Sequence, residues 1–238
     1  MRVLSVAFPT IPVGTAIAAG AEQVLSTLDA GLIERRHENI VIAAAGSKTS
    51  GQLVESSNHR ETIDRVLAAD SHASRTDLIH FHGLDFPQYL PDTRVPMLAT
   101  LHLPVSFYSE RTIEECRSRG IFFNCVSSSQ VSSSPLLDGL PVVVNGIATQ
   151  FYVSDEPGGG PASDAEGSER YIVWLGRICP EKGTHIALET ASSLDVPIVI
   201  AGPVHAYAAH QDYFSQYVEP LLAGYAASGL SSDSIRSG

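Results

Sequence analysis

Apolar residues fall along this chain in short unbroken runs, separated by stretches with helical periodicity. Val3–Phe8, Ile40–Ala45, Leu78–His82, Val95–Leu101, Ile121–Val126 and Pro141–Val144 are runs of strand length, and Gly, Ser, Asn, His or Pro punctuates their ends. Between the first two, Ala21, Val24, Leu25, Leu28 and Leu32 recur at helical spacing, and Ile63, Val66 and Leu67 mark a second helix. Near-continuous apolar strands alternating with helices predict a parallel sheet covered on both faces, the doubly wound Rossmann-like arrangement of the α/β class. Ligands of such folds lie beyond the carboxyl ends of the strands. The punctuating residues fall at those ends: Gly14 to Gly20, His82-Gly83, His102, Ser127, Asn145-Gly146 and Gly176-Arg177.

From Ser154 to Glu169 the pattern breaks, and Gly, Pro and acidic residues dominate. A second α/β unit opens with the apolar run Tyr171–Leu175, followed by a helix starting near Thr184, a strand Pro197–Ala201 and a helix from about Asp212 to Leu222. The tail Ala223–Gly238 is rich in Ser, Gly and Ala. The expected organisation is a Rossmann-like domain over 1–153, a linker over 154–169, the start of a second Rossmann-like domain over 170–222, and a flexible tail over 223–238.

A chain of 238 residues with 44% hydrophobic and 17% charged residues can bury a core, which excludes global disorder. A net charge of −11 argues against a nucleic-acid partner or an anionic membrane surface. The N-terminal apolar run is too short for a secretory core or a membrane span. Three cysteines, Cys116, Cys125 and Cys179, form neither a disulfide framework nor a C-x-x-C pair, so a reduced, cytoplasmic setting is expected.

The most informative stretch is Y-I-V-W-L-G-R-I-C-P-E-K-G-T-H-I-A-L, from Tyr171 to Leu188. It reads as strand, loop, helix, with Gly176 ending the strand, Pro180 holding the loop out of helix and Thr184 placed to cap the helix. Arg177 and Lys182 stand in the loop at the helix N-terminus. Backbone N–H groups there favour an anion; a guanidinium fork and an ammonium point charge beside them suit a diphosphate. Taken alone, the pair also reads as solvated surface charge. Lys182-Gly183-Thr184 lacks the glycine-rich first half of a P-loop, and the serines at 127–129 and 132–134 lack a G-x-S-x-G context. His80-x-His82 with Asp85 and His102 invites a metal-hydrolase reading, but spacing fixes no third ligand, and no metal is expected.

In its surroundings, G-R-x-x-P-E-K-G resembles the donor-phosphate loop of family 4 retaining glycosyltransferases of the GT-B fold. The first half is similar to that family as well. Gly20-Ala21-Glu22-Gln23 is similar to its G-G-A-E acceptor-side loop, with Ala19 in place of the first Gly and Gly14 in the same loop. Asp77-x-x-His80-x-His82, Thr100-x-His102, Val126-Ser127 and Val144-Asn145-Gly146 are similar to its strand ends. The resemblance implies that Arg177, Lys182 and Gly176 bind the donor diphosphate. It implies that His102 orients the donor sugar, and that Gly14, Gly20 and Glu22 shape the acceptor pocket. The implied substrates are a nucleotide-sugar and a small hydroxyl acceptor, lying between two domains, with no metal cofactor. The resemblance covers about residues 1–222, and further strands and an E-x7-E motif are expected beyond it; Glu181 and Glu189 have that spacing by accident. The chain therefore reads as a truncated member, for which self-association or a complementing chain is expected. The alternative is a non-catalytic module that binds a small molecule or a partner.

Overall fold

The computed structural model describes residues 1–14, 19–71, 75–147 and 171–227. The linker 154–169 and the tail beyond 227 lie outside the described residues. The chain divides into two compact units, Met1–Val153 and Ser154–Gly238.

In the first unit the apolar runs become β1 (Arg2–Val6), β2 (Glu38–Ala43), β4 (Leu78–Phe81), β5 (Met97–Leu101) and β6 (Phe122–Cys125). One strand was not expected: β3 (Gln52–Glu55), whose sequence Q-L-V-E carries only two apolar residues. The run Pro141–Val144 forms no strand; it contributes a single parallel bridge from Val142 to Cys125. Val143 and Val144 are 61% and 73% exposed, so among the described residues nothing covers that run to extend it. All six strands pair in parallel in the order β3-β2-β1-β4-β5-β6. This is the Rossmann-like α/β arrangement, with its topological switch point between β1 and β4.

The helices are α1 (Gly20–Glu34), α2 (His59–Ala68), α3 (Glu110–Ser118) and α4 (Ser128–Val131). Asn58 caps α2 by accepting from the Glu61 amide, which satisfies one orphan donor of the first turn. Helix α1 ends with Arg36 in the left-handed region (φ 61°). There the His37 amide donates to the Leu32 carbonyl and the Arg36 amide to the Ile33 carbonyl, both at 2.9 Å.

Strand alternation divides the sheet into two unlike faces. Leu4, Val6, Ile40, Ile42, Ile79, Phe81, Ala99, Leu101, Phe123 and Cys125 build the main core on one side. On the other side Val41 and Ala43 pack under Leu25 of α1, but the flanking positions are polar. Ser5 donates to Asn39 Oδ1 at 2.9 Å, and Asn39 Nδ2 donates to Asp29 at 2.8 Å. Asp29, fully buried on α1, also accepts from the Ser50 and Gly51 amides. A buried carboxyl group is accommodated there because three donors converge on it.

The second unit pairs β7 (Ile172–Leu175) with β8 (Ile198–Ala201) in parallel around α5 (Thr184–Ser193). Helix α6 (Ala208–Tyr213) runs through a π-helical turn, Phe214–Val218, into α7 (Glu219–Ala227), so helix continues past Ala223, where the sequence suggested a flexible tail. Trp174, Ile198 and Ile200 pack against Leu188, Tyr213 and Val218 to form this unit's core. On the opposite face Val173 and Leu175 are 58% and 81% exposed. Among the described residues, no helix is long and apolar enough to cross a membrane.

Candidate functional site

Two places carry the residues singled out from the sequence, one in each unit. In the first unit they gather at the carboxyl ends of β1, β4, β5 and β6. Past β1, the Val13 amide donates to Ser47 Oγ and its carbonyl accepts from Lys48, both within 2.9 Å, which holds Gly14 in a buried turn. Residues 15–18 of the same loop are not described. Gly20 opens α1, and Glu22 is buried in its first turn, where the helix N-terminus favours a carboxylate. The His82 amide, past β4, donates to the Val6 carbonyl at 2.9 Å and keeps the two loops at the switch point together.

His80, His82, Thr100, His102 and Asn124 share the polar face of the sheet. Thr100 donates to Asn124 Oδ1 at 2.8 Å and therefore accepts from His80 Nε2 at 2.7 Å, which puts the His80 proton on Nε2. His82 Nδ1 and His102 Nε2 are 3.0 Å apart. His82 Nε2 is buried with no partner among the described residues. An orphaned acceptor is tolerated better than an orphaned donor. On that argument His82 carries its proton on Nδ1 and donates to His102, leaving the His102 proton on Nδ1. Burial drives all three rings to the neutral form. It lowers His80 and His102 to about 4 and takes His82 well below its ordinary value, with neighbouring imidazoles adding to the effect on His80 and His82.

His102 lines a cavity of about 300 Å³ together with Leu103, Pro104, Val126, Ser127, Ser129, Gln130 and Ser133. Gln130 holds this cavity in shape: its Nε2 donates to the Leu101 and Leu103 carbonyls, and its Oε1 accepts from the Val126 amide, each at 2.8 Å. Ser127 accepts from the Gln130 amide at 3.1 Å and so caps α4.

In the second unit Arg177 follows β7, and Lys182 ends a 3-10 turn, Pro180–Lys182, that leads into α5. Thr184 is not the cap expected from the sequence. Gly183 occupies that position with φ 64°, and Thr184 is the first helical residue, its buried hydroxyl without a partner among the described residues. The left-handed backbone explains the exchange, because glycine adopts it without steric cost. The first-turn amides are also largely engaged: His185 donates to Tyr213 Oη at 3.2 Å, and Ile186 and Ala187 donate to the Gly183 carbonyl. Attraction for an anion therefore falls mainly to the side chains. Lys182 is exposed, and Arg177 has its guanidinium 3.7 Å from Glu181.

The loop's geometry is set by backbone contact. The Gly176 amide donates to Ala201 at 3.0 Å and the Ile178 amide to Pro203 at 2.9 Å. Gly202 has φ 151°, and a Cβ there would stand 1.7 Å from the Gly176 carbonyl oxygen. Only glycine fits.

No protein-family description and no curated protein sequence matches this chain. Its fold, however, is shared with solved structures. One is AviGT4, a glycosyltransferase involved in avilamycin A biosynthesis (22% identity, TM-score 0.57, covering 92% of this chain and 61% of that one). Another is an α-glucosyltransferase in complex with UDP and a 13-mer DNA containing a central A:G mismatch (11% identity, TM-score 0.55, covering 97% and 60%). A third is the N-terminal domain of a Candida albicans trehalose-6-phosphate phosphatase (15% identity, TM-score 0.57, covering 100% and 73%). At such identities the likeness is one of fold. The chain spans 60–61% of the length of the two transferases.

The structure brings His102 together with His80 and His82. His80 is bonded to Thr100, and Asp85 accepts from Tyr89 Oη at 2.9 Å. Sequence reasoning missed Gln130 and Gly202. Ser127-x-x-Gln130 is a capping-box pattern that could have marked the first. Gly202, directly after an apolar strand, had the ordinary signature of a strand end and nothing more.

Proposed function

We propose that this chain belongs to a GT-B glycosyltransferase of the family 4 retaining type, which moves a sugar from a nucleotide-sugar to a hydroxyl acceptor. The observation that carries the reading is the phosphate loop of the second unit. Two cations, Arg177 and Lys182, stand beyond the carboxyl end of a parallel strand, in a turn fixed by the Gly176–Gly202 contact. Their sequence context is similar to the donor-phosphate loop of that family. A fold shared with an α-glucosyltransferase in complex with UDP supports the same reading.

In this proposal Arg177 and Lys182 bind the diphosphate and stabilise the charge it gains as the bond to the anomeric carbon breaks. Pre-placed cations suffice for that without a metal in the transfer step. His102 orients the donor sugar, and a neutral ring fits that task, since it hydrogen-bonds to hydroxyls without adding a charge beside the leaving group. Gly14, Gly20 and Glu22 border the acceptor.

Calorimetric titration of UDP, GDP and their sugars into the chain and into Arg177→Ala tests the reading. The lost charge-assisted bonds amount to about 1.5–3 kcal/mol, so affinity should fall roughly 10- to 150-fold in the variant. Equal affinity of the two proteins, or no binding by a folded native chain, would overturn it. Binding without transfer to any hydroxyl acceptor would leave a donor-binding module in place of an enzyme.

A further inference from the structure

We infer that Cys179, Glu181 and His210 form a binding site for a zinc-class divalent metal ion, which staples the phosphate loop to α6. Their ligand atoms (the Cys179 thiol, a Glu181 carboxylate oxygen and a ring nitrogen of His210) all lie within 4.8 Å of one another. Among the described residues this is the one group of three metal-ligating side chains so assembled. The three come from separate places in the chain. Cys179 immediately precedes the 3-10 turn, Glu181 lies within it, and His210 lies on α6.

Two further observations point to a ligand. His210 Nδ1 is buried with no hydrogen-bond partner among the described residues, and so is His205 Nε2, whose ring lies 6.2 Å from that of His210. Buried imidazole nitrogens left without partners cost free energy unless something meets them. The thiol is fully buried, with a weak hydrogen bond to the Arg177 carbonyl at 3.4 Å and the Glu181 carboxylate beside it.

The donor set selects the metal. Sulfur and imidazole nitrogen exclude magnesium and calcium and favour zinc, with one carboxylate oxygen completing three protein ligands and a fourth position open. Ligand atoms around tetrahedral zinc are spaced roughly 3.3–3.8 Å apart. The observed group lies within about 1 Å of that spacing, and the exposed Glu181 side chain can rotate toward it. Binding displaces the thiol proton. It also recruits Glu181 away from Arg177, leaving the guanidinium available.

The chelator-treated full chain is titrated with zinc chloride by calorimetry and with cobalt chloride by absorbance. One equivalent of zinc should bind, and cobalt should give a near-ultraviolet thiolate charge-transfer band. That band should vanish in Cys179→Ser and persist in Cys116→Ser and Cys125→Ser. Loss of partners outside the coordination shell already weakens metal sites 10- to 100-fold, so His210→Ala should weaken zinc binding by about 100-fold or more. His210 lies outside the apolar cores, so the metal-free melting of that variant should match the native chain and serve as its folding control. Absence of one-equivalent binding, a cobalt band that survives Cys179→Ser, or native zinc affinity in His210→Ala would overturn the inference. Arg177→Ala should keep native zinc affinity, so failure of the phosphate-loop reading leaves this site standing.

Discussion

The two candidate regions are built on opposite principles. Around His102 the site is made of side chains: three neutral imidazoles, a threonine, an asparagine and a glutamine, each held by another side chain or by a strand-end carbonyl. Around Arg177 it is made of backbone, where two strand ends touch at Gly176 and Gly202 and leave the charged groups at the surface. The sheets beneath them differ in the same way. The first is filled on one face by a continuous apolar core and on the other by a small apolar cluster flanked by polar positions; the second leaves Val173 and Leu175 open on one face. A side-chain site tolerates backbone adjustment but fails when one partner changes protonation. A backbone site ignores protonation but admits no added atom.

The sharpest way to break this contrast is Gly202→Ala. A methyl group 1.7 Å from a backbone oxygen, on a backbone with φ 151°, forces β7 and β8 apart. Strain and overpacking together should remove upwards of about 4 kcal/mol from the second unit. Trp174, the only tryptophan in the sequence, sits in β7 and reports on that unit by fluorescence. A native Trp174 unfolding transition in the variant would show that the close approach is dispensable.

Acid should strike the other unit. His80, His82 and His102 are held neutral when folded, with pKa values lowered by burial, whereas in the unfolded chain they protonate near 6.5. The unfolded state then binds more protons below pH 6.5, so their contribution is intact above that pH and is lost as pH falls toward 4. The slope is at most about 1.4 kcal/mol per pH unit for each ring. Amide exchange in β4 and β5 should accelerate over that window, and His80→Gln should flatten its pH dependence. An unchanged slope in that variant would remove His80 from the account.

The smallest effect sharpens the charged site. Glu181→Gln removes the carboxylate 3.7 Å from Arg177. A partly exposed pair of this kind is worth up to about 1 kcal/mol, so UDP affinity in metal-free buffer should rise by up to about fivefold and the gain should fade with added salt. Loss of affinity would mean that Glu181 positions Arg177 instead of restraining it.

These opposite constructions explain what could be read in advance. Strands buried on both faces, such as Ile40–Ala43 and Ala99–Leu101, announce themselves as apolar runs, and their alternation with helices gives the parallel sheet. The edge strand Gln52–Glu55 does not, because half-buried pairing on one side needs little apolar sequence. The helix end at Arg36 was hidden as well, since the left-handed position usually signalled by glycine is filled there by arginine. In the site, His102 and Arg177 were visible because strand ends and loop punctuation point to them. The bond from His82 to His102 and the two bonds from Gln130 to the Leu101 and Leu103 carbonyls join residues 20 to 29 positions apart, and nothing local in the sequence encodes such pairings.

The π-helical turn between α6 and α7 has a consequence for how this chain accommodates insertions and deletions. Such a turn holds one residue more than the regular helix. Each residue advances an α-helix by about 100°, so winding Phe214–Val218 into regular α-helix with all its residues kept would swing α7 through roughly that angle. Leu221 and Leu222, now against the core with Val218, would then turn away from it, whereas excising one position from the turn would leave them on the same stripe as Tyr213 and Val218. The extra residue thus acts as a phase shifter. It lets two helical segments of independent periodicity present their apolar stripes to one core, and it makes this turn the place where the helix tolerates the loss of one residue.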